Sequence, residues 1–145
     1  MDFKIIIDKD LREDIVVYAK EKTPLTDEIE ALIKSSCDAV IGYSDNEAIN
    51  ISLRDVYCFT IEKNKLFAIM ENERLLIKER LYQIEERLGS NFIKINQSSI
   101  ANTKKIDRFK ASIGGSLIVI FKNGYRDYVS RRQTKSVKER MGVKR

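Results

Sequence analysis

The stretch Phe92-Ile93-Lys94-Ile95-Asn96-Gln97-Ser98-Ser99-Ile100-Ala101-Asn102, continued by Thr103-Lys104-Lys105-Ile106, decides how the chain is read. Phe92, Ile93, Ile95, Ile100 and Ile106 read as core anchors. Phe92–Asn96 carries the β-branched and aromatic residues of a short strand. Amides, hydroxyls and three lysines lie between the anchors. Two readings are open for them. They form a polar loop satisfying its own backbone, or they hold nucleic acid, with Asn and Gln toward adenine edges and Ser and Lys toward phosphates.

Working outward, the pattern on both sides is of short strands separated by polar turns. Upstream these are Ala39–Tyr43, Ala48–Leu53, Val56–Glu62, Leu66–Met70 and Leu75–Lys78. A helix follows over Glu79–Leu88, with Leu81, Ile84 and Leu88 on one face and Gly89 as its stop. Downstream the strands are Lys105–Ala111, Ser116–Lys122 and Tyr125–Val129. Asn123-Gly124 marks the hairpin between the last two. A closing helix spans Ser130–Met141, with Ser130 and Gln133 as a capping box and Gly142 as its end. The expected fold is therefore mainly β with few short helices.

A different unit stands in front. Phe3–Asp8 and Glu13–Lys20 read as strands, although Leu11, Ile15, Tyr18 and Ala19 would also share a helical face. After Pro24, the only proline, Thr26 is expected to cap a helix whose apolar face is Ile29, Leu32 and Ile33 and which ends near Ser36. The organisation expected is a strand–helix extension over residues 1–37 and a β-rich domain over residues 38–145. Phe3, Ile5, Ile7, Ile15, Val17, Ile29, Leu32 and Ile33 are more apolar groups than so short a unit can bury alone. A homodimer through the extension is the expected use.

The 145 residues are 43% hydrophobic and 34% charged, as in a folded globular protein. No apolar run approaches a membrane span, and the charged N-terminus is no signal peptide, so a cytoplasmic location is expected. Histidine is absent, which removes the commonest general base and metal ligand. Cys37 and Cys58, each among apolar residues, read as reduced core thiols and cannot complete a metal site. Without a nucleophile motif or metal cluster, no enzyme activity and no cofactor are expected.

Net charge is +5, but it is unevenly placed. From Asn91 onward there are 14 Lys and Arg against 3 acidic residues, a net of +11, and the first 90 residues carry −6. One end suits a polyanion and the other does not. In the closing helix Arg131 and Arg132 occupy the first turn, where backbone N–H groups already attract anions. Cations there are locally unfavourable, so an external anion would compensate them. An arginine so placed can fork onto guanine O6 and N7 or onto phosphate. The turn Lys63-Asn64-Lys65 alone is an ordinary hairpin turn.

These segments together resemble the LytTR family of bacterial DNA-binding domains. That family carries a Phe-(Ile/Val)-Arg-(Ile/Cys)-His-(Lys/Arg/Asn)-Ser-(Tyr/Phe/Thr)-(Ile/Val)-Val-Asn stretch, followed by a Val-Ser-Arg-Arg-like stretch. The resemblance runs from about Tyr43 to the C-terminus, with the Asn-Gly hairpin between the two stretches. It implies an elongated β-fold that reads promoter repeats in duplex DNA by putting loops into successive major grooves. Carried over by position, Gln97 and Arg132 contact bases, with Asn64 and Lys65 at a third base contact. Lys94, Ser98, Asn102, Ser130 and Arg131 fall at backbone contacts, and the neighbouring cations Lys104 and Lys135 are grouped with them. Asn96 and Gln97 replace the family's usual His and basic residue, which implies a different sequence preference. The segment before the domain is too short for a phosphate-accepting receiver. This resembles the stand-alone class of these regulators, for which the resemblance implies a dimer and a membrane-protein antagonist as input. The competing readings are an RNA-binding or protein-interaction module with a basic face. No aromatic pair lies on a basic strand as an RNP-type sheet requires, and an interaction-only role leaves the basic segment without a use.

Overall fold

The structure is a computed structural model that describes residues 4–10, 16–37 and 39–143. Among the described residues the first regular element is helix α1, Pro24–Cys37. Its start is set by a reciprocal pair. Thr26 N–H donates to the Thr23 hydroxyl at 3.3 Å, and Thr23 N–H donates to the Thr26 hydroxyl at 2.9 Å. Thr23 is thus the cap, Pro24 takes the first helical position where its missing N–H costs nothing, and Thr26 closes the capping box. The expectation that Thr26 itself caps the helix is corrected by one turn. The expected strands ahead of it do not form where the chain is described: residues 4–8 and 16–19 have no regular structure. Phe3 and residues 13–15, which those strands included, lie outside the described residues, as do Leu11 and the side chain of Cys37.

Ten strands follow. A seven-stranded sheet is built from β1 (Ala39–Ser44), β2 (Glu47–Ser52), β3 (Cys58–Glu62), β4 (Lys65–Ile69), β5 (Arg74–Ile77), β6 (Phe92–Asn96) and β7 (Ser99–Asn102). Its order is β2-β1-β5-β4-β3-β7-β6, with every pairing antiparallel. A second, three-stranded sheet has the order β10-β9-β8, from β8 (Ile106–Ala111), β9 (Leu117–Phe121) and β10 (Arg126–Val129). Helix α2 (Leu81–Arg87) connects β5 to β6, and α3 (Arg131–Met141) closes the chain.

The large sheet is apolar on both faces. On one, Val40, Phe59, Leu75, Phe92 and Ile100 pack with Ile84 of α2. On the other, Ile93, Ile95 and Ala101 meet Val119 and Phe121 of the small sheet and Val137 of α3. The alternation along β6 explains the split: successive side chains point to opposite faces, so Phe92 serves one core while Ile93 and Ile95 serve the other.

Three sequence expectations change here. No strand is expected over Ser99–Asn102, whose polar residues are read either as a self-satisfying loop or as nucleic-acid contacts, yet β7 forms there and all four of its residues are buried. Its end residues Ser99 and Asn102 find their hydrogen bonds inside the protein, which makes a polar strand tolerable in a core. Helix α2 ends on Leu88 in an extended conformation, so Gly89 provides no left-handed stop. Gly142 does provide one for α3, at φ +72°, with Val143 N–H returning to Lys138 O at 2.9 Å. The Ser130–Gln133 capping box does not form: Ser130 makes no side-chain cap bond, and Gln133 N–H reaches the Ser130 carbonyl instead.

Candidate nucleic-acid interface

Three candidate segments meet at one end of the large sheet. β3 runs toward the turn Lys63-Asn64, whose residues have φ of +52° and +66°, the backbone of a tight two-residue hairpin. β7 runs antiparallel to β3, with Ser99 opposite Thr60, so the turn Gln97-Ser98 that precedes β7 emerges at the same end. Ile61 N–H donates to the Ser98 carbonyl at 2.8 Å and fixes that turn against β3. The start of α3 is attached to the same place, because Ser130 N–H donates to the Ile95 carbonyl at 2.9 Å. Gln97, Asn64, Lys65, Arg131, Arg132 and Lys135 are all exposed there.

A hydrogen-bonded network behind these turns keeps them in place. Asp127 of β10 accepts from the Ser99 hydroxyl at 2.6 Å, from Asn96 Nδ2 at 3.2 Å and from Tyr128 N–H at 2.8 Å. Ser99 also shares a 2.8 Å hydrogen bond with Thr60 of β3, and Asn96 Nδ2 donates to the Tyr128 carbonyl at 2.8 Å. Asn96 Oδ1 in turn accepts Ser98 N–H at 2.8 Å, which closes the turn. β3, β6, β7 and β10 are joined through one carboxylate. Burial pushes the nearby Cys58 thiol up, and the Asp127 charge adds to the effect. The Tyr125 phenol is raised for the same two reasons, burial first. Cys58 is free and fully buried.

Other expected site residues sit elsewhere. Asn102 is a correction: it is 2% exposed. Its amide donates to the Val56 carbonyl at 2.8 Å while its Oδ1 accepts Lys104 N–H at 3.0 Å, so it caps a short 3-10 turn rather than facing DNA. Lys104 lies in that turn, at the far end of β7 from Gln97-Ser98, lining a cleft with Glu28 of α1. Lys94 is half-buried and alternates with Ile93 and Ile95, on the Phe92 side of β6 and away from the core that α3 covers. β6 is an edge strand, which leaves that side chain a route to the rim. Sequence reasoning missed the Asp127 network. The signal was present, since Asp127 is one of only 3 acids from Asn91 onward.

Residues 46–142 match the model of the LytTr DNA-binding domain. The chain belongs to the LytTr DNA-binding domain family. Among solved structures it resembles the LytTr DNA-binding domain of a methyl-accepting/DNA response regulator from Bacillus cereus. The TM-score is 0.67 at 20% identity, covering 72% of this chain and 97% of that one. Two relatives from Staphylococcus aureus, strains NCTC 8325 and COL, are each named an uncharacterized HTH-type transcriptional regulator. Each is 31% identical over 124 residues, covering 82% of this chain and 84% of its own length. Among the described residues no two α-helices follow one another. The exposed side chains at the candidate interface are presented by hairpin turns and a helix start, with no helix-turn-helix. No helix of the described residues is long and apolar enough to cross a membrane.

Proposed function

We propose that this LytTr-family protein is a transcription regulator that binds promoter DNA with the end of the large sheet where the two turns and α3 converge. The observation that carries the reading is the Ser130-to-Ile95 backbone bond, which sets the first turn of α3 beside Gln97-Ser98. Gln97 and Arg132 reach base edges, with Asn64 and Lys65 as a further base contact. Ser98, Ser130, Arg131 and Lys135 hold phosphates, and Lys94 does so from the edge strand. The Ser130 hydroxyl is not engaged in capping, which suits it to a phosphate oxygen. Arginines at the positive end of a helix are stabilised when an anion arrives.

Residues 38–145 form the DNA-binding domain, and residues 1–37 pair subunits, with a membrane-protein antagonist as the input. Exposure of Ile5, Ile7, Val17 and Leu32 supports a partner for the extension. The direct test is a footprint on the protein's own promoter region, alongside titration with an RNA duplex of the same sequence. Protection of repeated sites on one face of the DNA, with weaker RNA binding, is expected. Equal affinity for RNA and DNA, or no protection, would remove the proposal.

A further inference from the structure

The hairpin that joins β8 to β9 ends in Ser112-Ile113-Gly114-Gly115-Ser116, and its tip differs from the others at the described hairpins. Asp45-Asn46, Lys63-Asn64, Gln97-Ser98 and Asn123-Gly124 are polar. Ile113 is apolar, and at 105% relative exposure its side chain stands wholly in solvent. The loop around it is firmly built. Ser112 N–H and Oγ both donate to the Ser116 carbonyl, at 3.0 and 2.9 Å. Gly114 and Gly115 have φ of +99° and +90°, and no atom lies within 4 Å of where a Cβ on Gly114 would stand. Backbone shape, not crowding, is what requires glycine there. A two-residue turn of the Lys63-Asn64 kind would reverse the chain equally well. The longer glycine loop adds reach and aims an apolar side chain outward.

Its position is fixed by α3. Arg131 Nη2 donates to the Gly114 carbonyl at 2.5 Å, and Arg131 is the neighbour of Arg132. Lys110, exposed and opposite Ile118, places a cation on the stem of the same hairpin. The tip therefore continues the surface proposed above to bind DNA.

We propose that the β8–β9 hairpin is an additional DNA-contacting arm, in which Ile113 packs on the C5-methyl of a thymine next to the bases read from α3 while Lys110 neutralises a flanking phosphate. Apolar contact with that methyl is one way a protein reads thymine in the major groove. The inference rests on the DNA-binding surface assigned above. A protein partner fits less well, because one isoleucine beside cations supplies little of the apolar area a stable interface needs.

The test uses full-length protein and duplexes selected from a random-sequence library. The wild-type consensus is expected to include a thymine beside the positions that Arg132→Ala relaxes. Ile113→Ser should lose that preference and bind the wild-type consensus about tenfold more weakly, the cost of one mismatched base pair. Replacing the thymine by uracil, which lacks only the methyl, should weaken wild-type protein by the same factor and leave Ile113→Ser unaffected. Ile113 is free of packing, so thermal unfolding should not change. Equal binding by Ile113→Ser and wild type, or equal weakening of both by uracil, would overturn the inference. So would a change in oligomeric state on Ile113→Ser, which would assign the tip to a second copy. If Arg132→Ala also kept the full consensus, the DNA-binding surface itself would be wrong; relaxation by Arg132→Ala alone rejects only the arm.

Discussion

At the scale of single residues, the distinction that matters is between side chains that read sequence and side chains that hold the backbone. Arg132 is exposed in the first turn of α3 and its side chain has no hydrogen bond or ion pair to the described chain, whereas its neighbour Arg131 is already tied to the Gly114 carbonyl. That asymmetry favours Arg132 as the group free to fork onto a guanine. A bidentate base contact discriminates by about 1–3 kcal/mol. Arg132→Ala should therefore weaken the cognate site by that amount and leave non-specific binding nearly intact, as measured by anisotropy titration of two duplexes. Lys94→Ala should weaken both duplexes alike and reduce the slope of log K against log salt by about one unit. The reverse pattern would exchange the two roles. Residue identity alone could not separate Asn102 from Gln97. Both are amides in one motif, and only the topology puts Asn102 under the Val56 carbonyl while Gln97 rides a turn. The network residues Thr60, Ser99 and Asn96 were equally hidden, since a polar side chain in a strand looks the same whether it faces water or a carboxylate.

At the scale of elements, the β domain was legible because its strands are short, apolar and punctuated by Asp45-Asn46, Lys63-Asn64 and Asn123-Gly124, the residues that tolerate turn geometry. β7 escaped because Ser-Ile-Ala-Asn has no strand signal of its own, and its burial depends on polar partners from other strands. The extension failed for the opposite reason: β-branched runs at Ile5-Ile6-Ile7 and Val16-Val17 have strand propensity, yet no sheet edge pairs with them where they are described. Asp127 is the element-scale joint, so its removal should be felt in folding. Asp127→Ala leaves the buried Asn96 and Ser99 short of an acceptor, and urea unfolding at pH 7 should show a loss of about 1–3 kcal/mol. The pH dependence has a definite sign. Cys58 and Tyr125 are both raised in the native state, so above their unfolded values, about 8.5 and 10, the unfolded chain binds fewer protons than the native one. Native stability is then full below that range and falls as pH rises through it. Asp127→Ala should show a shallower alkaline fall, because one cause of both shifts is gone. An alkaline limb identical to wild type would contradict the placement of that charge.

At the scale of the whole molecule, the polarity of charge and the exposed apolar groups of the extension belong to one arrangement. The segment from Asn91 onward carries +11 and includes α3 and the Gln97-Ser98 turn, while the acidic remainder includes the extension. If the extension pairs subunits as proposed, phosphate binding falls on one part of the chain and apolar association on another, so that DNA and a second subunit would not compete for the same surface. Ile5, Ile6, Ile7, Val16 and Val17 are each at least 50% exposed. Such a concentration of apolar surface marks an interaction site in a soluble protein. Only Ala31 of α1 is buried against the rest of the chain where side chains of the helix are described, so α1 retains area for a partner as well. Sedimentation velocity at tens of micromolar should therefore give a dimer. Ile7→Asp combined with Val17→Asp should shift it to monomer, because both side chains are solvent-exposed in the single chain and contribute little to its own fold. DNA binding should then separate into two effects. Each monomer keeps its affinity for a single half-site, since the α3 surface is untouched, while affinity for the paired repeats falls by the lost effective concentration, on the order of 10²-fold or more. A wild-type monomer at this concentration would remove the dimer, and so would a double variant that bound paired repeats as tightly as wild type.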